Sequence, residues 1–100
     1  MDLITFEEKG QLTIVHGRGD WNLGNIKDVE AVFSMLIEKK PDTIAINCKE
    51  LVSVDSTAIA TMVKILRKTR EQSMRLVFYD LSLNIQNTFN LMTLNKFFTI

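Results

Sequence analysis

The sequence predicts a single α/β domain, β-β-α-β-α-β-α-(β), with a mixed sheet carrying helices mainly on one face. Three observations lead there. Short runs that alternate apolar and polar residues are separated by segments with apolar residues three and four apart, so the period switches repeatedly between strand and helix. Strands separated by helices imply right-handed crossovers and mostly parallel pairing, whereas the short turn at Lys9-Gly10 implies one antiparallel hairpin. In the third strand-like run, Ile44, Ile46 and Cys48 alternate with Thr43, Ala45 and Asn47, which indicates burial mainly on one side.

The elements follow in order. Leu3 to Glu8 alternates, and Gln11 to Val15 reads as its hairpin partner. His16-Gly17-Arg18-Gly19-Asp20 reads as loop, because closely spaced glycines suit unusual φ values. Asn22 or Asn25 can cap a helix in which Ile26, Val29, Phe33, Leu36 and Ile37 keep a helical period to Lys39. The lysines at 39 and 40 suit its negative end, and Pro41-Asp42 stops it. Thr43 to Cys48 is the next strand. A helix over about 57–70, a strand over Met74 to Tyr79 and a helix from Ser82 to about Met92 follow. Leu83, Ile85, Phe89, Leu91 and Met92 give that last helix a less regular stripe. Lys96 to Ile100 reads as a short final strand.

The 100 residues form one domain, 1–100, and 46% of them are apolar. That fills a core without a disulfide or metal. Twelve basic and twelve acidic residues cancel, which removes both the basic footprint of a nucleic-acid binder and any steering toward anionic membranes. Cys48 is the only cysteine and His16 the only histidine. No intrachain disulfide and no Cys/His zinc cluster can be built from them, and no cofactor is expected. The N-terminus has acidic residues where a secretory signal has basic ones. The longest helical apolar region, Ala31 to Ile37, is far short of a membrane span. A soluble cytoplasmic protein is expected.

The stretch around which the chain is organised is Leu51 to Leu66. It opens as a strand-exit loop and becomes an amphipathic helix with Ile59, Met62, Val63 and Leu66 on one stripe. Asp55 or Ser56 can cap that helix through a side-chain oxygen. Two hydroxyls, Ser56 and Thr57, and the Asp55 carboxylate therefore gather at a helix N-terminus, where free N–H groups and the macrodipole favour an anion.

Val54-Asp55-Ser56-Thr57, placed between a βαβ strand and an amphipathic helix, resembles the signature of the STAS domain, whose small single-domain members are bacterial anti-sigma factor antagonists. The turn Gly17-Arg18-Gly19-Asp20, the strand Thr43-Ile44-Ala45-Ile46-Asn47 and the segment Leu94-Asn95-Lys96-Phe97-Phe98 are also similar to the family, so the resemblance spans essentially the whole chain. It implies a non-enzymatic binding module. An anti-sigma factor that is also a serine kinase would bind the unphosphorylated protein, releasing a sigma factor. Phosphorylation of Ser56 would end that binding, and a phosphatase would restore it. Asp20, Asp55 and Thr57 would lie at the contact surface. Apart from the resemblance, Trp21 reads either as a packing residue or, from its place in the loop beside Asp20 and the enrichment of Trp at binding hot spots, as an exposed anchor of the same patch, and the second reading is preferred. The chain departs from the family at Ala58, often glycine there, and at Gly19, where the turn usually has an apolar residue.

Each feature also has a plainer reading. Ser56 can be a helix cap only, His16 a half-buried structural histidine, and Cys48 a small core residue. The charged run Lys64, Arg67, Lys68, Arg70 and Glu71 reads as a solvated helix face. Arg18-Gly19-Asp20 matches a cell-adhesion tripeptide by coincidence. A different function, an accessory subunit of a membrane lipid-transport ATPase, would use the same helix edge without phosphorylation. A third, a hydrolase with Ser56 as nucleophile, lacks the Gly-x-Ser-x-Gly elbow and has only His16 for a base.

Overall fold

The hairpin at the start of the chain sets the sheet. In the structure, a computed structural model that describes residues 2–91, strand β1 (Ile4–Lys9) turns through Gly10 at φ +62° into β2 (Leu12–Trp21). Only glycine adopts that φ without steric cost. Helix α1 (Ile26–Glu38), strand β3 (Thr43–Val54), helix α2 (Ser56–Glu71), strand β4 (Arg75–Tyr79) and helix α3 (Leu83–Leu91) follow. The four strands lie in chain order, β1-β2-β3-β4. β1 pairs antiparallel with β2, and the β2–β3 and β3–β4 pairs are parallel. This is the mixed α/β sheet that the period changes predict. The final strand over Lys96 to Ile100, the family-like segment Leu94 to Phe98 and Met92 lie outside the described residues.

Burial separates the two faces of the sheet. Val15, Ile44, Ile46, Leu76 and Phe78 are buried on one face and join a single core with residues of all three helices. On the other face Ile14, His16, Ala45, Asn47, Val77 and Tyr79 are only half-buried. The helices thus cover one side. Trp21 meets Phe33 of α1 edge-on at 6.3 Å, and Phe78 meets Phe89 of α3 edge-on at 5.7 Å. Such pairs contribute about 0.5–1.5 kcal/mol beyond their buried area. Cys48 is buried in this core, and burial, helped by the Asp80 carboxylate, pushes its thiol up to about 12. It therefore stays protonated and acts as a small apolar residue.

Three expectations are corrected. The predicted loop at His16–Asp20 is strand, and β3 runs six residues past Cys48 to Val54. The two extensions pair with each other, Arg18 with Glu50, Gly19 with Leu51, Asp20 with Ser53 and Trp21 with Val54. Register shifts between His16 and Arg18 and between Gly19 and Asp20 interrupt the ladder, and Gly19 takes φ +69°. At each shift the extra residue lies on β3, one of them Val52, so β3 carries the bulges while the glycine-bearing stretch of β2 continues as strand. In α1, Asn25 stands at the N-cap without a capping bond. Its side chain is engaged elsewhere, accepting from the Asn22 N–H and donating to the Asp20 carbonyl. In α3 only Ile85 and Phe89 are buried, whereas Leu83 and Leu91 are exposed. The cap at Ser82 does form, its Oγ accepting from the Ile85 N–H at 3.2 Å.

Gly17 is fixed by space rather than by φ. A Cβ there would stand 2.9 Å from Cζ2 and 3.3 Å from Cη2 of Trp21. The indole cannot easily yield, since it is fully buried and its Nε1–H donates to the Leu3 carbonyl at 3.1 Å. Gly17→Ala is therefore expected to destabilise the domain by about 1–3 kcal/mol, as overpacking does. The urea midpoint, followed by the fluorescence of Trp21, measures this. An unchanged midpoint would mean that the ring has room to move.

Candidate functional site

The site forms where β2 and β3 end and α2 begins. Asp55 is extended, with φ −91° and ψ 179°, and caps α2 by accepting from the Ala58 N–H at 2.8 Å through Oδ1. Its second oxygen accepts from the Leu23 N–H at 3.0 Å, and its own N–H donates to the Trp21 carbonyl at 3.1 Å. One residue thus ties the start of α2 to the β2–α1 connection. These bonds favour the charged carboxylate. The bond from Ala58, then that from Leu23, with smaller help from the Thr57 N–H, hold its pKa below the ordinary aspartate value despite slight desolvation.

Because Asp55 is the cap, Ser56 is the first helical residue. Its side chain is exposed, and its hydroxyl has no partner among the described residues. Thr57 is half-buried beside it. Across the strand pair, the exposed Asp20 carboxylate accepts from the Ser53 hydroxyl at 2.5 Å. Asp20, Ser53, Asp55, Ser56 and Thr57 therefore share one end of the sheet, with two carboxylates beside the helix N-terminus.

Trp21 does not belong to that surface. Its relative exposure is 0%, so it cannot serve as an exposed anchor. Strand alternation explains the reversal: with β2 continuing through this point, Asp20 faces out and Trp21 faces the core. Among the described residues, the exposed apolar groups at this end include Leu23, at 74%, and Val52, at 60%. Leu23 follows Asn22 in the loop that Asp55 holds. Val52 precedes Ser53 and accepts from the Asn84 side chain through its carbonyl at 2.8 Å. Neither carries a periodic signal in the sequence. An apolar residue inside a polar loop, Asn22-Leu23-Gly24-Asn25, is the one cue that pointed to Leu23.

His16 lies on the half-buried face of β2, in register with Asn47, and its Nε2 pairs with Glu7 at 2.8 Å. It is thus engaged within the hairpin, while Ser56 follows the far end of β3. No described helix is long and apolar enough to cross a membrane.

The family model for the STAS domain matches residues 4–100. No curated protein matches the chain by sequence. Among solved structures, the Thermotoga maritima protein TM1081 is 16% identical, with 97% of this chain and 84% of that one covered at a TM-score of 0.89. The unphosphorylated anti-sigma factor antagonist SpoIIAA is 16% identical, with 96% and 85% covered at 0.81. An anti-sigma factor antagonist from Mycobacterium paratuberculosis is 14% identical, with 95% and 80% covered at 0.80. At these identities the likeness is one of fold.

The Asp55 bonds set a pH dependence. The carboxyl is more acidic in the folded chain than in the unfolded one. Its stabilising contribution is therefore complete above the unfolded value, about 3.9, and is lost as pH falls through the lower folded value. An NMR titration should give Asp55 a midpoint below about 3.9, with the Leu23 and Ala58 amide signals moving in step. A midpoint at or above that value, or amides that ignore it, would remove the tie from this account. Asp55→Ala should lower stability at neutral pH and narrow the difference between neutral and acid conditions.

Proposed function

This chain belongs to the STAS domain family, and on that footing we propose that it is an anti-sigma factor antagonist switched by phosphorylation of Ser56. The observation that carries the reading is the exposed Ser56 hydroxyl, without a partner among the described residues, at the first position of α2 directly after the Asp55 cap. In the unphosphorylated form the surface around Asp20, Asp55, Ser56 and Thr57 binds an anti-sigma factor that is also a serine kinase, and the sigma factor is released. The kinase transfers phosphate to Ser56 and the complex parts; a phosphatase resets the switch. SpoIIAA, of similar fold, has structures in an unphosphorylated and a phosphorylated form, which supports looking for both states here.

The physics of the switch is local. A phosphoserine adds about −1.5 to −2 charge at neutral pH. At the start of α2 the free N–H groups and the macrodipole offset part of it, so the fold hardly changes. For a partner the change is large. The patch already carries the Asp20 and Asp55 carboxylates, and the added group is strongly hydrated. Docking would require stripping that hydration against a surface that accepted a neutral hydroxyl. A nearly complete switch needs about 5.5 kcal/mol of differential affinity. Desolvation and like-charge repulsion at a buried contact supply several kcal/mol.

Neighbouring hydroxyls are less suited. Ser53 donates to Asp20, and Thr57 is half-buried. With the partner kinase and ATP, mass spectrometry should find one phosphate on Ser56, and Ser56→Ala should accept none. Ser56→Asp should lose most kinase binding while its NMR spectrum changes only near residues 17–24 and 53–60. Phosphate on Ser53 or Thr57, full binding by the phosphorylated protein, or shifts spread through the core would each defeat the reading.

A further inference from the structure

On the half-buried face of the sheet, at the first register shift between β2 and β3, a cavity of about 290 Å³ is lined by His16, Gly17, Arg18, Asn47, Lys49 and Glu50. A neighbouring hollow of about 380 Å³ shares Arg18 and Glu50 with it. The lining is rich in donors whose geometry is already fixed. Arg18 is clamped across three strands, its Nε donating to Glu50 Oε2 and its Nη1 to Thr5 Oγ1, both at 2.6 Å. Its Nη2 group has no partner among the described residues. The Asn47 carbonyl oxygen accepts from the Lys49 N–H at 2.9 Å. That bond sets the orientation of the carboxamide and leaves its Nδ2 unpartnered. The Lys49 ammonium is likewise unpaired among the described residues. His16 is held through Nε2 by Glu7, with Nδ1 remaining.

Charge points the same way. Among the lining residues the one carboxylate, Glu50, is matched by Arg18, which leaves the Lys49 charge unmatched on the wall, while Glu7 stands behind His16 and is engaged by its Nε2. A guanidinium fork suits the paired oxygens of a phosphate or carboxylate, and an ammonium adds a point charge. Donors held before binding lower the ordering cost of association. The volume lies at the small end of ligand cavities, roughly 300–1,000 Å³.

We propose that this cavity binds a small oxyanion, a phosphate or a short dicarboxylate, gripped by Arg18, Asn47 and Lys49. This site is separate from the Ser56 surface and does not depend on the switch assigned there.

The experiment is an NMR titration of the full chain with inorganic phosphate and, in a second arm, with succinate. Sodium chloride at matched ionic strength is the control. Saturable shifts centred on residues 16–19 and 47–50, absent with chloride, are expected in at least one arm; the arm that saturates at lower concentration identifies the anion type. Lys49→Gln removes one charge-assisted bond and should weaken binding by roughly tenfold. Arg18→Gln should weaken it further but also loosens the clamp, so the exposed Lys49 carries the decisive comparison. The proposal is overturned by shifts no larger than those with chloride, by shifts confined to residues 55–58, where a helix N-terminus attracts any anion, or by unchanged affinity in Lys49→Gln.

Discussion

The Asp55 carboxylate is the constraint on which the site depends. Each of its oxygens accepts a backbone N–H, one from inside α2 and one from the β2–α1 connection. Without it, those two donors would have to find water and the loop would lose its link to the helix. The same arrangement decides what Ser56 is free to do. A serine at the N-cap would turn its oxygen onto a backbone N–H one turn in. With aspartate taking that role, the next hydroxyl begins the helix exposed and with no partner among the described residues. Capping and presentation are divided between adjacent residues, which is why a carboxylate and a hydroxyl in that order are informative.

How far this was legible in the sequence can be traced to particular residues. The hairpin and the buried Cys48 follow from local chemistry or period and stand as predicted; of the two cap candidates Asp55 is the one used, and of the α2 stripe Ile59, Met62 and Leu66 are buried, whereas Val63 is half-buried and Ile65 takes a core place. The failures along β2 share one origin. Gly17 and Gly19 read as loop because glycine tolerates φ > 0, yet Gly19 takes φ +69° inside a strand that keeps pairing, opposite the place where β3 bulges at Val52. Treating the segment as loop removed the strand alternation, and with it the rule that places Asp20 outward and Trp21 inward. A tryptophan next to an exposed aspartate then looked like an anchor. Gly17 is open to a side chain by its backbone, and its reason for being glycine lies in a ring four residues away. No window of sequence alone displays such a long-range steric fact. The exposed Leu83 and Leu91 of α3 have a related cause: a short helix buries only the positions that face the sheet, Ile85 and Phe89.

The one-sided sheet also divides the molecule's work. The covered face holds the aromatic pairs and aliphatic side chains that fold the chain, and substitutions there act first on stability. The other face and the strand ends contribute little to that core and are available for recognition. Arg18 spans the two regions. It is fastened to Thr5 on β1 and Glu50 on β3, its N–H donates to the Leu3 carbonyl, and it lies two residues before Asp20 on the same strand. The register shift between Gly19 and Asp20 falls within that short span. A bulge is the part of a strand where the ladder is weakest, so it needs side-chain fastening to hold a defined shape. Here the fastening is a guanidinium that restrains the bulge from the open face, while Ser53 restrains Asp20 at the sheet end. The position of the Asp20 carboxylate beside α2 is thus set from two directions, by an ionic clamp before the bulge and a hydroxyl after it.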